Sequence, residues 1–150
     1  MLTDVIAEIH CNYQERAQAA HMKMPLEITD RRKALVDVSR LRQILEKLLD
    51  NGFKYAAEEG YLGICVLSED EWTFIQVTDR GPGLNQEQQD NIFESFYRQE
   101  PARSDKKSLG LGLAFSRQLA ELMSGSLTVS SEIGQGCTFT LRFREQMQNS

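Results

Sequence analysis

The feature that most limits the fold is the way two periodicities alternate along the chain. Residues 61–67 and 72–78 are β-rich runs separated by the acidic turn Ser68-Glu69-Asp70-Glu71, which reads as an antiparallel hairpin. Residues 127–131 and 138–143 read as a second hairpin around Gly134-Gln135-Gly136. Helical periods surround them. Leu2, Val5, Ile6, Ile9, Tyr13, Ala17 and Ala20 recur at helical spacing, predicting an amphipathic helix over residues 3–22. Leu41, Ile44, Leu45, Leu48 and Leu49 form the strongest apolar stripe, with Asp37 or Ser39 available as its N-cap. Residues 86–95 predict a short helix capped by Asn85, and residues 111–123 a last helix ending at Gly125. After Pro25, residues 26–29 alternate like a short strand, with residues 34–36 as its expected hairpin partner. Helices and antiparallel hairpins alternate without βαβ regularity. The expectation is an α+β chain: a two-layer α/β sandwich whose sheet is mixed and mostly antiparallel, with helices on one face.

Bulk properties set the outer limits. A chain of 150 residues suits one domain. Residues 1–24 are expected to be a linker or the end of a preceding helical dimerisation domain, residues 25–145 the folded domain, and residues 146–150 a disordered tail. The net charge of −5 argues against a nucleic-acid partner, which requires a basic face. Cys11, Cys65 and Cys137 form no CxxC pair, so a reducing, cytoplasmic setting is expected. No apolar run approaches the ~20 residues of a membrane span, and no membrane contact by this domain is expected.

Four segments carry candidate chemistry. On the second long helix, Asn51 lies one turn beyond Leu48, at the edge of the buried stripe. Lys47 and Lys54 share its flank. An amide oxygen there suits Mg²⁺, which takes few protein oxygens and keeps several waters. The lysines suit phosphate. Asp79-Arg80-Gly81-Pro82-Gly83 places an acid at a strand end, able to read an exocyclic amine, beside glycines that let the backbone turn and approach a ligand. Ser108-Leu109-Gly110-Leu111-Gly112-Leu113 opens the last helix, where free N–H groups and the helix dipole favour phosphate. The intervening polar stretch carries Arg98, Arg103, Lys106 and Lys107, cations able to clamp a polyphosphate.

The order of these segments carries a resemblance. Residues 40–55, ending Asp50-Asn51-Gly52-Phe53-Lys54-Tyr55, resemble the N box of histidine kinases, and Asp79-x-Gly81-x-Gly83 their G1 box. Ile92-Phe93-Glu94-Ser95-Phe96-Tyr97-Arg98 resembles their F box, and Gly110-Leu111-Gly112-Leu113-Ala114 their G2 box. Gly134-x-Gly136-x-x-Phe139 resembles the closing glycine turn.

The resemblance implies the Bergerat ATP-binding fold shared with gyrase, Hsp90 and MutL. It implies ATP with Mg²⁺ as ligands, and transfer of the γ-phosphoryl group to a histidine on a separate dimerisation domain, with a response regulator downstream. By position, Asn51 would ligate magnesium and Lys47, Lys54 and Tyr55 would meet the nucleotide. Asp79 would bond the adenine amine, and Gly81 and Gly83 would shape its pocket. Arg98 and Arg103 would be lid cations, and Gly110, Leu111, Gly112 and Leu113 would form the hinge and phosphate end. The catalytic set implied is Asn51, Lys54 and Arg98.

Three departures stand out. Lys47 occupies the place where the family has Asn, or Glu in its gyrase-like relatives. Ser108 replaces a G2 glycine. No His-Glu-x-x-Pro-like acceptor motif surrounds His10 or His21, which read as structural or surface residues. Two other readings follow: a non-catalytic nucleotide-binding module, and a relative of the serine-kinase anti-sigma factors.

Overall fold

The structure, a computed structural model, describes residues 2–29, 34–35, 37–94, 111–144 and 146–147. The elements in order are α1 (Leu2–Ala19), β1 (Leu26–Ile28), β2 (Ala34–Leu35), α2 (Val38–Tyr55), β3 (Leu62–Glu69), β4 (Trp72–Asp79), α3 (Gln86–Asn91), α4 (Leu111–Leu122), β5 (Ser126–Glu132), β6 (Gly136–Arg144) and β7 (Gln146–Met147). A five-stranded sheet has the order β1-β3-β4-β6-β5. Its β3–β4, β4–β6 and β5–β6 pairs are antiparallel and β1–β3 is parallel, so the sheet is mixed and mostly antiparallel.

The alternation seen in the sequence is the alternation of faces. Ile64, Val66, Ile75, Val77, Phe139, Leu141 and Phe143 point into the core, while their neighbours Cys65, Gln76 and Thr140 lie half-exposed on the other face. The α2 stripe closes that core: Leu41, Ile44, Leu45, Leu48 and Leu49 are almost wholly buried. Gly52 is part of the same contact. A side chain there would meet the Leu62 side chain of β3 and force that buried leucine to shift, so glycine suits the close approach of helix to sheet. The two-layer sandwich is therefore built as expected, with α2 and α4 against one sheet face.

Local capping explains the element ends. Asp37 accepts the Arg40 N–H at 3.0 Å and starts α2. Asn85 and Gln88 form a reciprocal capping box that starts α3. The β3–β4 turn needs only Asp70 and Glu71 between its strands, with Asp70 at φ +56°. At the end of α4 the left-handed residue is Ser124 (φ +59°), not Gly125 as expected. The Gly125 N–H instead reaches back to the Ala120 carbonyl, and the Ser124 N–H to that of Glu121, a Schellman motif. Gly125 is small because the Arg142 carbonyl of β6 presses against it.

One expectation changes. Residues 26–29 and 34–36 do not form a hairpin with each other. β1 pairs in parallel with β3, while β2 pairs antiparallel with β7 in a separate two-stranded sheet. Residues 146–147 supply that β7 strand. Helix α1 packs on this core: Leu2, Val5, Ile6, Ile9 and Ala17 belong to the same hydrophobic cluster as α2 and the sheet. His21, at φ +56°, ends α1 in a second Schellman arrangement, and His10 bonds the Met24 carbonyl at 2.6 Å. Both histidines thus have structural roles.

Candidate functional site

Asp79 is the last residue of β4 and is half-buried. Two backbone donors converge on one of its oxygens: the Gly81 N–H at 2.9 Å and the Cys137 N–H at 3.2 Å, both to Oδ1. Among the described residues nothing bonds Oδ2, which is left to accept from a ligand. Burial, the largest influence, raises the Asp79 pKa above the ordinary carboxylate value. The two N–H bonds oppose that rise and the nearby Glu59 charge adds to it. Arg80 does not neutralise the acid. Its guanidinium lies over the Tyr61 ring, 3.8 Å from the centroid.

The loop after Asp79 is held between two walls. On one side is the end of α2: a Cβ on Gly81 would lie 3.1 Å from the Tyr55 carbonyl oxygen and 3.2 Å from the Ala56 Cβ. On the other side is the β5–β6 turn. Gly83, at φ +79°, faces the Glu132 carbonyl so closely that any side chain would collide with it. Gly136, at φ +96°, meets the Asp79 carbonyl in the same way. The Gly134 N–H donates to the Pro82 carbonyl at 2.7 Å. Gly81 therefore borders the Asp79 carboxylate directly, while Gly83 is required by backbone contact with the turn.

Side chains absent from the sequence reading complete this seam. The Ser131 hydroxyl accepts the Leu84 N–H at 2.8 Å, donates to the Gly136 carbonyl at 2.7 Å and touches the Cys137 sulfur at 3.3 Å. The Gln89 amide donates to the carbonyls of Leu84 and Ser131, each at 3.0 Å. Burial raises the Cys137 thiol pKa, with the Ser131 hydroxyl opposing and the Asp79 charge adding to the rise. A serine in a strand and a glutamine in a short helix carry no pattern that would single them out. Only the fold brings them to the loop.

Asn51 lies on the last full turn of α2, half-buried, four residues or about 6 Å of helix rise before Tyr55. Among the described residues no hydrogen bond engages its amide. Lys47 is exposed one turn earlier. Lys54 is exposed beside Tyr55, its ammonium 5.5 Å from the ring centroid. The structure thus brings Gly81, beside the Asp79 carboxylate, against the Tyr55 carbonyl and Ala56, where the α2 end meets the β4 end. Leu111 and Gly112 are the first two positions of α4, and Leu113 is buried. Arg98, Arg103, Lys106, Lys107, Ser108, Gly110 and the second half of the F box lie outside the described residues. Phe93, from its first half, packs edge-on against Phe139.

A helix ending beside an acid on a mostly antiparallel sheet, with glycines sealing the acid's loop, defines a class. Residues 36–147 match the family described as histidine kinase-, DNA gyrase B-, and HSP90-like ATPase, and the chain belongs to that family. Among its relatives are the circadian input-output histidine kinase CikA of Synechococcus elongatus, 34% identical over 89% of this chain, and the sensor histidine kinase RppB of Synechocystis, 33% identical over 94%. The aerobic respiration control sensor protein ArcB of Escherichia coli is 38% identical over 73% of the chain. The matches span only 18%, 32% and 14% of those proteins' own lengths. The fold is that of full-length ShkA, solved in complex with AMPPNP (TM-score 0.86, 24% identity, all of this chain and 31% of that one). The catalytic domain of the histidine kinase ThkA shares it too (TM-score 0.81, 22% identity, 96% of this chain and 92% of that one). No helix among the described residues is long and apolar enough to cross a membrane.

Proposed function

We propose that this chain is the ATP-binding catalytic domain of a two-component sensor histidine kinase. It would pass the γ-phosphoryl group of ATP to a histidine on a dimerisation domain elsewhere in the kinase, for relay to a response regulator. The observation that carries the reading is the Asp79 carboxylate, with one oxygen fixed by two backbone donors and the other unbonded among the described residues. That arrangement suits an exocyclic adenine amine. Family membership and the sensor-kinase relatives support it.

Magnesium fits the residues present. The unengaged Asn51 amide supplies one hard oxygen, and Mg²⁺ prefers one or two protein oxygens with phosphates and water completing an octahedron. When bound, it would neutralise phosphate charge. Asn51 would hold it, and Lys54 and Lys47 would face the phosphates. Tyr55 would border the nucleotide and Asp79 would hold the base, with Arg98 and Arg103 closing over the phosphates as lid cations. Gly110 to Leu113 would seat the phosphate end. In such transfers the protein acts mainly by positioning and charge stabilisation.

One observation favours a second reading. Lys47, exposed and cationic, cannot ligate a metal or polarise a water as an amide can, which suits a domain that binds nucleotide without transferring phosphate. Incubation with Mg-ATP and a supplied dimerisation domain carrying its histidine decides between them. Labelled phosphate on that histidine supports the kinase. Binding without transfer, with transfer gained by Lys47→Asn, supports the binding module.

A further inference from the structure

Asp50, the residue before Asn51, ties α2 to α1. Its Oδ1 accepts two bonds from α1: the Tyr13 hydroxyl at 3.0 Å and the Arg16 guanidinium at 2.8 Å. The same guanidinium lies over the Phe53 ring, 4.4 Å from its centroid. Tyr13 also stacks on Phe53, with centroids 5.9 Å apart and planes 21° from parallel. Tyr13 and Arg16 are i,i+3 neighbours on α1, and Asp50 and Phe53 are i,i+3 neighbours on α2, so each pair shares a helix face. Asp50 and Phe53 bracket Asn51 in sequence.

The packing of α1 on α2 does not need this cluster. Ile6, Ile9, Leu45, Leu48 and Leu49 are already buried in the common core. An ion pair as exposed as Arg16–Asp50, with half of each side chain in solvent, contributes little by itself. What the cluster adds is direction. Apolar contacts resist separation but tolerate rotation of a helix about its axis. Two hydrogen bonds to one carboxylate oxygen and a cation over a ring do not. A rotation of α2 by about 10° moves a side-chain tip at 5–6 Å from the axis by about 1 Å. Errors of that size can cost a site about a hundredfold.

We propose that Tyr13, Arg16, Asp50 and Phe53 form a clamp that fixes the rotation of the last turn of α2 and so positions Asn51, making helix α1 a determinant of metal-dependent nucleotide binding. Burial, and then the Asp50 charge, raise the Tyr13 phenol pKa above its ordinary value, so the hydroxyl stays protonated and remains a donor. These are positioning residues, since each acts through Asn51. The inference rests on the metal role proposed for Asn51.

The test is calorimetric titration of the intact chain with ATP plus Mg²⁺, and with ATP plus EDTA, for Asp50→Ala, Tyr13→Phe, Asp50→Glu and Asn51→Ala. With the clamp broken, Asp50→Ala loses about tenfold in Mg-ATP affinity and keeps its metal-free affinity within twofold. Tyr13→Phe loses less, Asp50→Glu recovers part of the loss, and the Tyr13→Phe, Asp50→Ala pair is non-additive. Equal losses with and without metal mark a general structural role and overturn the proposal, as does no loss. If Asp50→Ala fails to fold, Tyr13→Phe, which removes only a hydroxyl, decides by the same metal comparison. Asn51→Ala separates the two ideas. If it leaves the magnesium dependence intact, the metal role falls and the clamp's purpose with it. If it removes that dependence and neither Asp50→Ala nor Tyr13→Phe reduces it, the clamp alone falls.

Discussion

Asp79→Asn separates the two things the Asp79 carboxylate does. An asparagine can keep its carbonyl oxygen where Oδ1 now accepts the Gly81 and Cys137 N–H groups. Its NH₂ then takes the place of Oδ2 and points a donor at the adenine amine, itself a donor. A charge-assisted bond of about 1.5–3 kcal/mol is lost and a donor is left without a partner. A net loss of about 3 kcal/mol corresponds to roughly a hundredfold weaker binding. Folding responds in the opposite direction. Because burial raises the Asp79 pKa, the folded chain binds this proton more tightly than the unfolded chain. The group therefore favours folding below its unfolded pKa, and that advantage is lost as pH rises through the raised folded value. At neutral pH asparagine avoids the cost of a half-buried charge, so the nucleotide-free variant should melt no lower than the parent. The parent's nucleotide affinity should fall as acid protonates Asp79, while the variant's stays flat over that window. Calorimetry with ADP in EDTA isolates the adenine end, and thermal unfolding without nucleotide reports stability. Unchanged ADP affinity, or weakened affinity accompanied by a lower melting temperature, would refute the reasoning.

Four further outcomes follow from the packing. Gly83→Ala should cost at least ~2 kcal/mol and lower the melting temperature by roughly 4–8 °C, since it combines a left-handed backbone with collision against the Glu132 carbonyl. Gly134→Ala, at a similar φ but with nothing within 4 Å, should cost no more than ~2 kcal/mol; equal melting shifts would mean that the seam exerts no pressure on Gly83. Ile6→Ala, at a wholly buried position of α1, should destabilise the chain by about 2–5 kcal/mol in urea titration, and a negligible effect would show that α1 is dispensable to the core. Ser131→Ala leaves the Leu84 N–H without its acceptor and should cost about 1–3 kcal/mol together with some ADP affinity, read by the same two assays.

Local chemistry was legible in the sequence, and distant pairing was not. The α2 stripe, the Asp37 and Asn85 caps and the β3–β4 and β5–β6 hairpins depend on neighbours within a few positions, so spacing alone revealed them. β1 looked like half of a hairpin because its true partner, β3, lies beyond a whole helix, and parallel pairing leaves no turn to read. β2 and β7 are two residues each, too short for any period. Gly125 drew attention as a cap because glycine usually takes the left-handed position, yet Ser124 holds it and the glycine answers to a carbonyl of β6. In the site, Asn51 and Asp79 stood out through the order of their motifs. Asp50, Ser131, Gln89 and Cys137 did not, because their roles consist of contacts across the fold. Lys47 was visible as a departure, and the transfer assay decides whether this exposed residue belongs to a kinase or to a binding module.

The seam between the Asp79 loop and the β5–β6 turn also governs when, during folding, the pocket comes into being. Gly83 and Glu132 stand roughly fifty positions apart, and contacts of such separation form late because a long loop must close first. A chain that has reached residue 110 holds Asn51 and Asp79 but lacks the Cys137 N–H, the Ser131 hydroxyl and the turn that packs on the Asp79 loop, the proposed base site. Nucleotide would find its adenine site only after the last hairpin has zipped onto β4. Ligand that binds solely to the completed form then stabilises it by mass action and leaves unfinished or C-terminally damaged chains without that support.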